Sequence, residues 1–160
     1  MRNSILIIQM IVLLAGTAFA WFTVYQDFDR FITEEGTIFK VDDCTYPNPV
    51  ITPCFYGAFA FLVAFIWSAV IYNKSSDHQY SSQKKLIWLL VASVIFAWSV
   101  NIYELWKYYS AETDEVIGCS GLLVNNPYTT PCFIGASIFL IALVAGLSAR
   151  NILKINKEKE

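Results

Sequence analysis

The chain's four cysteines are the side chains best suited to chemistry. Two of them sit in copies of one motif: Asn48-Pro49-Val50-Ile51-Thr52-Pro53-Cys54-Phe55-Tyr56-Gly57-Ala58 and Asn126-Pro127-Tyr128-Thr129-Thr130-Pro131-Cys132-Phe133-Ile134-Gly135-Ala136. Each copy has a further cysteine upstream, Cys44 or Cys119. Paired thiols offer a structural disulfide or a thiol relay. Of the three pairings that four cysteines permit, Cys44–Cys54 with Cys119–Cys132 is the simplest, because each bond closes a short loop. By chain entropy, closing a loop of about 10–15 residues is worth roughly 3 kcal/mol. For exchange, the notable members are Cys54 and Cys132. The Thr-Pro before each reads as a helix start, with threonine as cap and proline at the first position, and the first turn of a helix is where the macrodipole favours a thiolate. A relay needs two unlike pairs, whereas these occupy equivalent positions, so staples are the expected use and no catalytic residue is assigned.

Each motif opens a long apolar run. The chain is 56% hydrophobic over 160 residues, and that content falls in four stretches: Ile5 to Tyr25, Phe55 to Tyr72, Leu86 to Trp106 and Phe133 to Ala149. Each holds roughly the 17–25 residues that cross a hydrocarbon core as helix. None has a charge in its middle, and none keeps the polar stripe that a helix of a soluble bundle shows to water. The expected fold is therefore all-α, a bundle of four transmembrane helices in contact with the lipid bilayer.

The motif copies imply two tandem helical hairpins. Beyond the motif, F-L-x-A recurs as Phe61, Leu62, Ala64 and as Phe139, Leu140, Ala142. Upstream, Phe19-Ala20-Trp21 matches Phe96-Ala97-Trp98. An even number of crossings per copy makes the duplication parallel, with the same topology for both hairpins and a pseudo-twofold axis along the membrane normal. The expected segments are 1–75, a first hairpin with a long acidic outer loop from Gln26 to Pro53; 76–85, a polar cytoplasmic linker; and 86–160, a second hairpin with a shorter outer loop. Small residues recur four apart at matching positions: Gly16 and Ala20 with Ser93 and Ala97, Ala64 and Ser68 with Ala142 and Gly146. Such faces let helix backbones approach closely in lipid.

Lys and Arg set the orientation. Arg2, Lys74, Lys84, Lys85, Arg150, Lys154, Lys157 and Lys159 fall on one side; Arg30, Lys40 and Lys107 fall on the other. Both termini are thus expected in the cytoplasm, and the cysteine loops outside it, where thiols meet an oxidising compartment. Arg2, the first apolar run and Ala18-Phe19-Ala20 have the form of a signal peptide, but Trp21 and Trp98 occupy matching places, so a retained signal-anchor helix is the reading adopted. The membrane is then the plasma membrane or another with one oxidising side.

Other chemistry finds little support. The single histidine, His78, lies in the cytoplasmic linker, across the membrane from the cysteines, so no metal site is expected. Nothing points to nucleic acid. Asn101 and Glu104, one turn apart near the outer end of the third run, form a possible polar pocket. In layout, four helices with two outer cysteine pairs, the chain resembles the quinone-coupled disulfide-generating enzymes and the vitamin K epoxide reductases. Those families carry a C-x-x-C pair, which this chain lacks, and no catalytic residue is transferred. The leading expectation is a non-catalytic binding or scaffolding component of a membrane assembly, joined to other subunits or to copies of itself, without a cofactor. The alternative implied by the resemblance is a thiol–disulfide oxidoreductase using Cys44, Cys54, Cys119 and Cys132 with a quinone. A small oligomeric transporter is third.

Overall fold

In lipid a backbone has no water to bond, so an apolar run must satisfy its own N–H and C=O groups as helix. The computed structural model describes residues 2–40, 46–74, 76–110, 118 and 124–157. Among them, each apolar run is a helix: α1 (Arg2–Glu35), α2 (Pro53–Tyr72), α3 (Ser76–Ser110) and α4 (Pro131–Lys157). All four are long and apolar enough to cross a membrane. No strand occurs among the described residues. The chain is a multi-pass membrane protein folded as a four-helix bundle.

Every helix outlasts its apolar run, and the extensions of α1 and α3 take in residues expected as loop. Gln26–Glu35 continues α1 instead of opening the outer loop, because Val24, Asp27 and Phe31 repeat at helical spacing and are buried on one face. The helix stops at Gly36, whose φ of +73° is left-handed and whose N–H donates to the Ile32 carbonyl. At the other end, residues 76–85, expected as a polar linker, are helical and form the first turns of α3. Gln79, Ser82, Gln83 and Leu86 share one buried face there, and the polar members find partners that a sequence does not display. Gln79 Nε2 donates to the Lys74 carbonyl, and Lys74 Nζ donates to Ser82 Oγ. Only residues 73–75 separate α2 from α3, so these helices are antiparallel neighbours. His78 is exposed.

The helices stand in a ring, α1 beside α2 and α4, and α3 beside α4 and α2. Across the centre α2 touches α4, while α1 and α3 have no close backbone approach among the described residues. The α2–α4 diagonal is drawn together by Phe61 and Phe139, stacked with ring centroids 3.6 Å apart and planes 7° from parallel. Gly16 of α1 makes room for that stack. A Cβ placed on it would lie 2.4 Å from Phe61 Cε1, closer than any real contact. Of the small residues expected at helix interfaces, Gly16, Ala64, Ser68, Ser93, Ala142 and Gly146 are buried, and Ala20 and Ala97 half-buried.

Candidate functional site

Each T-P-C segment delivers its cysteine to one point through a short chain of local bonds. Asn48 accepts at Oδ1 from the Val50 N–H and Asn126 accepts likewise from the Tyr128 N–H, capping single 3-10 turns at Pro49–Ile51 and Pro127–Thr129. Pro53 and Pro131 then take the first position of α2 and α4, where the missing N–H is no loss. The threonines sit where caps belong, with a difference from expectation. Thr52 turns its hydroxyl back to donate to the Pro49 carbonyl and makes no side-chain cap. Thr130 donates to the Pro127 carbonyl and also accepts from the Phe133 N–H at 3.4 Å.

Because α2 and α4 meet on the diagonal, the two first turns converge. Cys54 Sγ and Cys132 Sγ are 3.0 Å apart, in S–H···S contact, beyond the ~2.05 Å of a disulfide bond. Both sulfurs are half-buried. The simplest pairing joins each to its own loop cysteine; Cys44 and Cys119 lie outside the described residues, and the meeting of Cys54 with Cys132 belongs to another of the three pairings. Only the packing of one hairpin on the other creates it. The one sequence signal that pointed there is the motif itself, which gives both cysteines the same height on their helices.

Beneath the sulfurs lies a cavity of about 50 Å³. Its wall is made largely of residues at matching places in the two motif copies and the helices around them: Phe19 and Phe96, Ala20 and Ala97, Pro53 and Pro131, Gly57 and Gly135, Phe61 and Phe139. Thr23 faces Val100, the one matched pair in the wall to differ in polarity. Thr23 Oγ1 is committed to the Phe19 carbonyl. The cavity is therefore apolar, with two thiols at its upper edge.

Polar groups near the pair come from α1 and α3. Asn101 is buried and donates from Nδ2 to the Ala97 carbonyl at 2.8 Å and to the Cys132 carbonyl at 3.1 Å, tying α3 to the turn that carries the cysteine. Glu104 points elsewhere. It lines a groove of about 410 Å³ with Pro53, Phe96, Ser99, Val100, Tyr103 and Lys107. The two residues expected to share a pocket therefore serve different sites, one a backbone tie and the other a groove wall. Asp27 of α1 lies within electrostatic reach of Cys54. Its Oδ1 is 3.6 Å from Arg30, while its buried Oδ2 has no hydrogen-bond partner.

A second polar cluster occupies the opposite end of the bundle. Gln83 Nε2 donates to Gln9 Oε1 at 2.9 Å and to the Gly146 carbonyl at 3.1 Å. Both glutamines are wholly buried, and Gln9 Nε2 and Gln83 Oε1 are left unpaired. The pair joins α1 to α3, whose backbones do not meet. Among the described residues there is no group of His, Cys, Asp and Glu able to hold a metal ion.

Comparison with known proteins adds no relative. No family model, curated protein or solved structure matches this chain. Function has to be read from the site alone.

Proposed function

We propose that this protein is a membrane thiol–disulfide oxidoreductase whose exchange centre is Cys54 and Cys132. The observation that carries the reading is the 3.0 Å approach of two sulfurs, each in the first turn of its own helix. A disulfide between them is one small movement away, and a helix N-terminus supports the thiolate that exchange requires. In the forward step a thiolate of a partner dithiol attacks one sulfur of the Cys54–Cys132 disulfide. The S–S bond breaks, the departing sulfur takes a proton, and the partner's second thiol resolves the mixed disulfide. Two electrons and two protons enter the pair, and the partner leaves oxidised. Returning both electrons and both protons to a quinone, which becomes a hydroquinone, restores the disulfide. Cys44 and Cys119 supply the relay's other thiols.

The reading also takes the two hairpins as copies in parallel duplication, with the cysteine end extracytoplasmic and both termini cytoplasmic. The matched residues around the cavity and the Lys/Arg distribution support this.

A second reading is a non-catalytic component in which Cys54 and Cys132 only clasp the hairpins. The stacked Phe61–Phe139 pair, which already binds the same diagonal, favours it. A redox titration of the purified protein separates the two. An exchange centre reduces at a potential well above the roughly −300 mV below which structural disulfides lie, and Cys132→Ser traps a mixed disulfide on Cys54. A pair reduced only below that potential, with nothing trapped, would replace exchange by the clasp.

A further inference from the structure

The exchange reading leaves open how an electron acceptor reaches two half-buried sulfurs at one end of the bundle. The two seams that flank the pair differ. On one side α1 and α4 pack closely, and on α1 Thr23 and Asp27 are buried. On the other, α2 and α3 are the most loosely packed of the neighbouring helices. The matching residues of α3, Val100 and Glu104, are half-buried beside exposed Ser99, Tyr103 and Lys107.

The 410 Å³ groove opens beside that looser seam, lined by α3 with Pro53 of α2 and with Gly118, and it shares Pro53, Phe96 and Val100 with the cavity under the sulfurs. A volume of that size lies within the roughly 300–1,000 Å³ of small-molecule sites. Its wall is graded. Phe96 and Val100 line the end towards the cysteines, and Tyr103, Glu104 and Lys107 line the other. A molecule matching that gradient has a flat apolar ring system for the inner end and a polar edge for the outer.

We propose that the α2/α3 seam is the entrance by which a ring-bearing amphiphile dissolved in the lipid, a two-electron acceptor of the quinone class, reaches Cys54 and Cys132. The proposal rests on the exchange reading. The acceptor takes two electrons and two protons from the dithiol, and a Cys54–Cys132 disulfide remains. A phospholipid chain could enter the same seam, but it accepts no electrons.

The test uses full-length protein in lipid vesicles, reduced and then offered a short-chain benzoquinone, with quinone absorbance followed over time. Reduction of the oxidised pair by dithiothreitol is measured in parallel. Ser99→Trp fills the seam from an exposed position. Phe22→Trp alters the matching position on α1, itself 60% exposed. The expected result is that Ser99→Trp lowers the quinone rate at least tenfold relative to its dithiothreitol rate, while Phe22→Trp leaves that ratio as in the parent. Equal effects of the two variants, or none from Ser99→Trp, would overturn the entrance. A parent protein that reacts with dithiothreitol but passes no electrons to the quinone overturns it too, leaving exchange intact and the seam to lipid. A pair that ignores dithiothreitol removes the exchange reading and the entrance together.

Discussion

The two ends of the bundle are built on different plans. At the cysteine end, residues at matching places in the sequence come together: Cys54 meets Cys132, and Phe19 with Phe96 and Gly57 with Gly135 line one cavity. At the other end the buried polar pair is Gln9 and Gln83, which are not matched. Counting from Phe19 and Phe96, Gln9 corresponds to Leu86 and Gln83 to Leu6, all four buried. The cysteine end joins residues of one type, as the sulfurs do. A polar contact displaced by one turn demands that they differ, and so fixes which hairpin is which. The lesson is that likeness marks the site and unlikeness sets the register.

The comparison breaks first at its shared centre. Phe61→Ala removes one member of the axial stack and leaves space beside Gly16, so a loss of about 3–5 kcal/mol is expected, read as a fall in melting temperature in detergent. Unfolding at the parent temperature would show that the diagonal does not hold the bundle. At the unmatched end, Gln83→Leu strips the Gln9 amide of its partner and is expected to cost roughly 1–3 kcal/mol. Adding Gln9→Leu converts both positions to the residue of the other copy, and stability returns to near the parent value, since removing both partners of a buried bond is nearly neutral. A double variant as weak as the single one would mean the glutamines do not act as a pair.

Smaller effects test the cysteine end. Asn101→Val installs the residue found at the matching Val24 of α1 and removes the donor to the Cys132 carbonyl. A loss of about 1 kcal/mol is expected, together with a changed rate of reaction at Cys132 and not at Cys54, measured by alkylation and peptide mapping. Equal change at both cysteines would deny Asn101 its one-sided role. Least of all, Gly57→Ala and Gly135→Ala meet no atom within 4 Å and should move stability by less than about 1 kcal/mol, while narrowing the cavity between them. A large loss would place hidden contacts there.

Much of this fold is legible in the sequence, because lipid leaves an apolar run one backbone solution; the four helices follow from hydropathy. The helical turns at 76–85 were not legible. Gln79, Ser82 and Gln83 have the composition of a solvated loop, and their burial depends on Lys74, Gln9 and Gly146, which lie on other elements or beyond the helix start. The extension of α1 past Gln26 was hidden for a similar reason, since charges at Asp27, Asp29 and Arg30 mask the spacing of Val24, Asp27 and Phe31. The site was half legible. Motif copies gave the cysteines their equal positions, but their meeting is a product of how hairpins dock, which no local pattern encodes. Asn101 and Glu104 stood one turn apart and read as partners, yet they diverge by about 60° around the helix.

The unequal lengths of the helices have a consequence for any macromolecular partner. α2 has 20 residues and α1 has 34, about 30 Å against 51 Å at 1.5 Å per residue. At the cysteine end α1 runs on beyond the level of Cys54 through Glu35, and α3 beyond the level of Cys132 through Ser110. The sulfurs therefore lie short of the ends of α1 and α3 along the bundle. On the exchange reading, a partner thiol has to pass the ends of α1 and α3, which an extended strand or chain terminus does more readily than a folded domain.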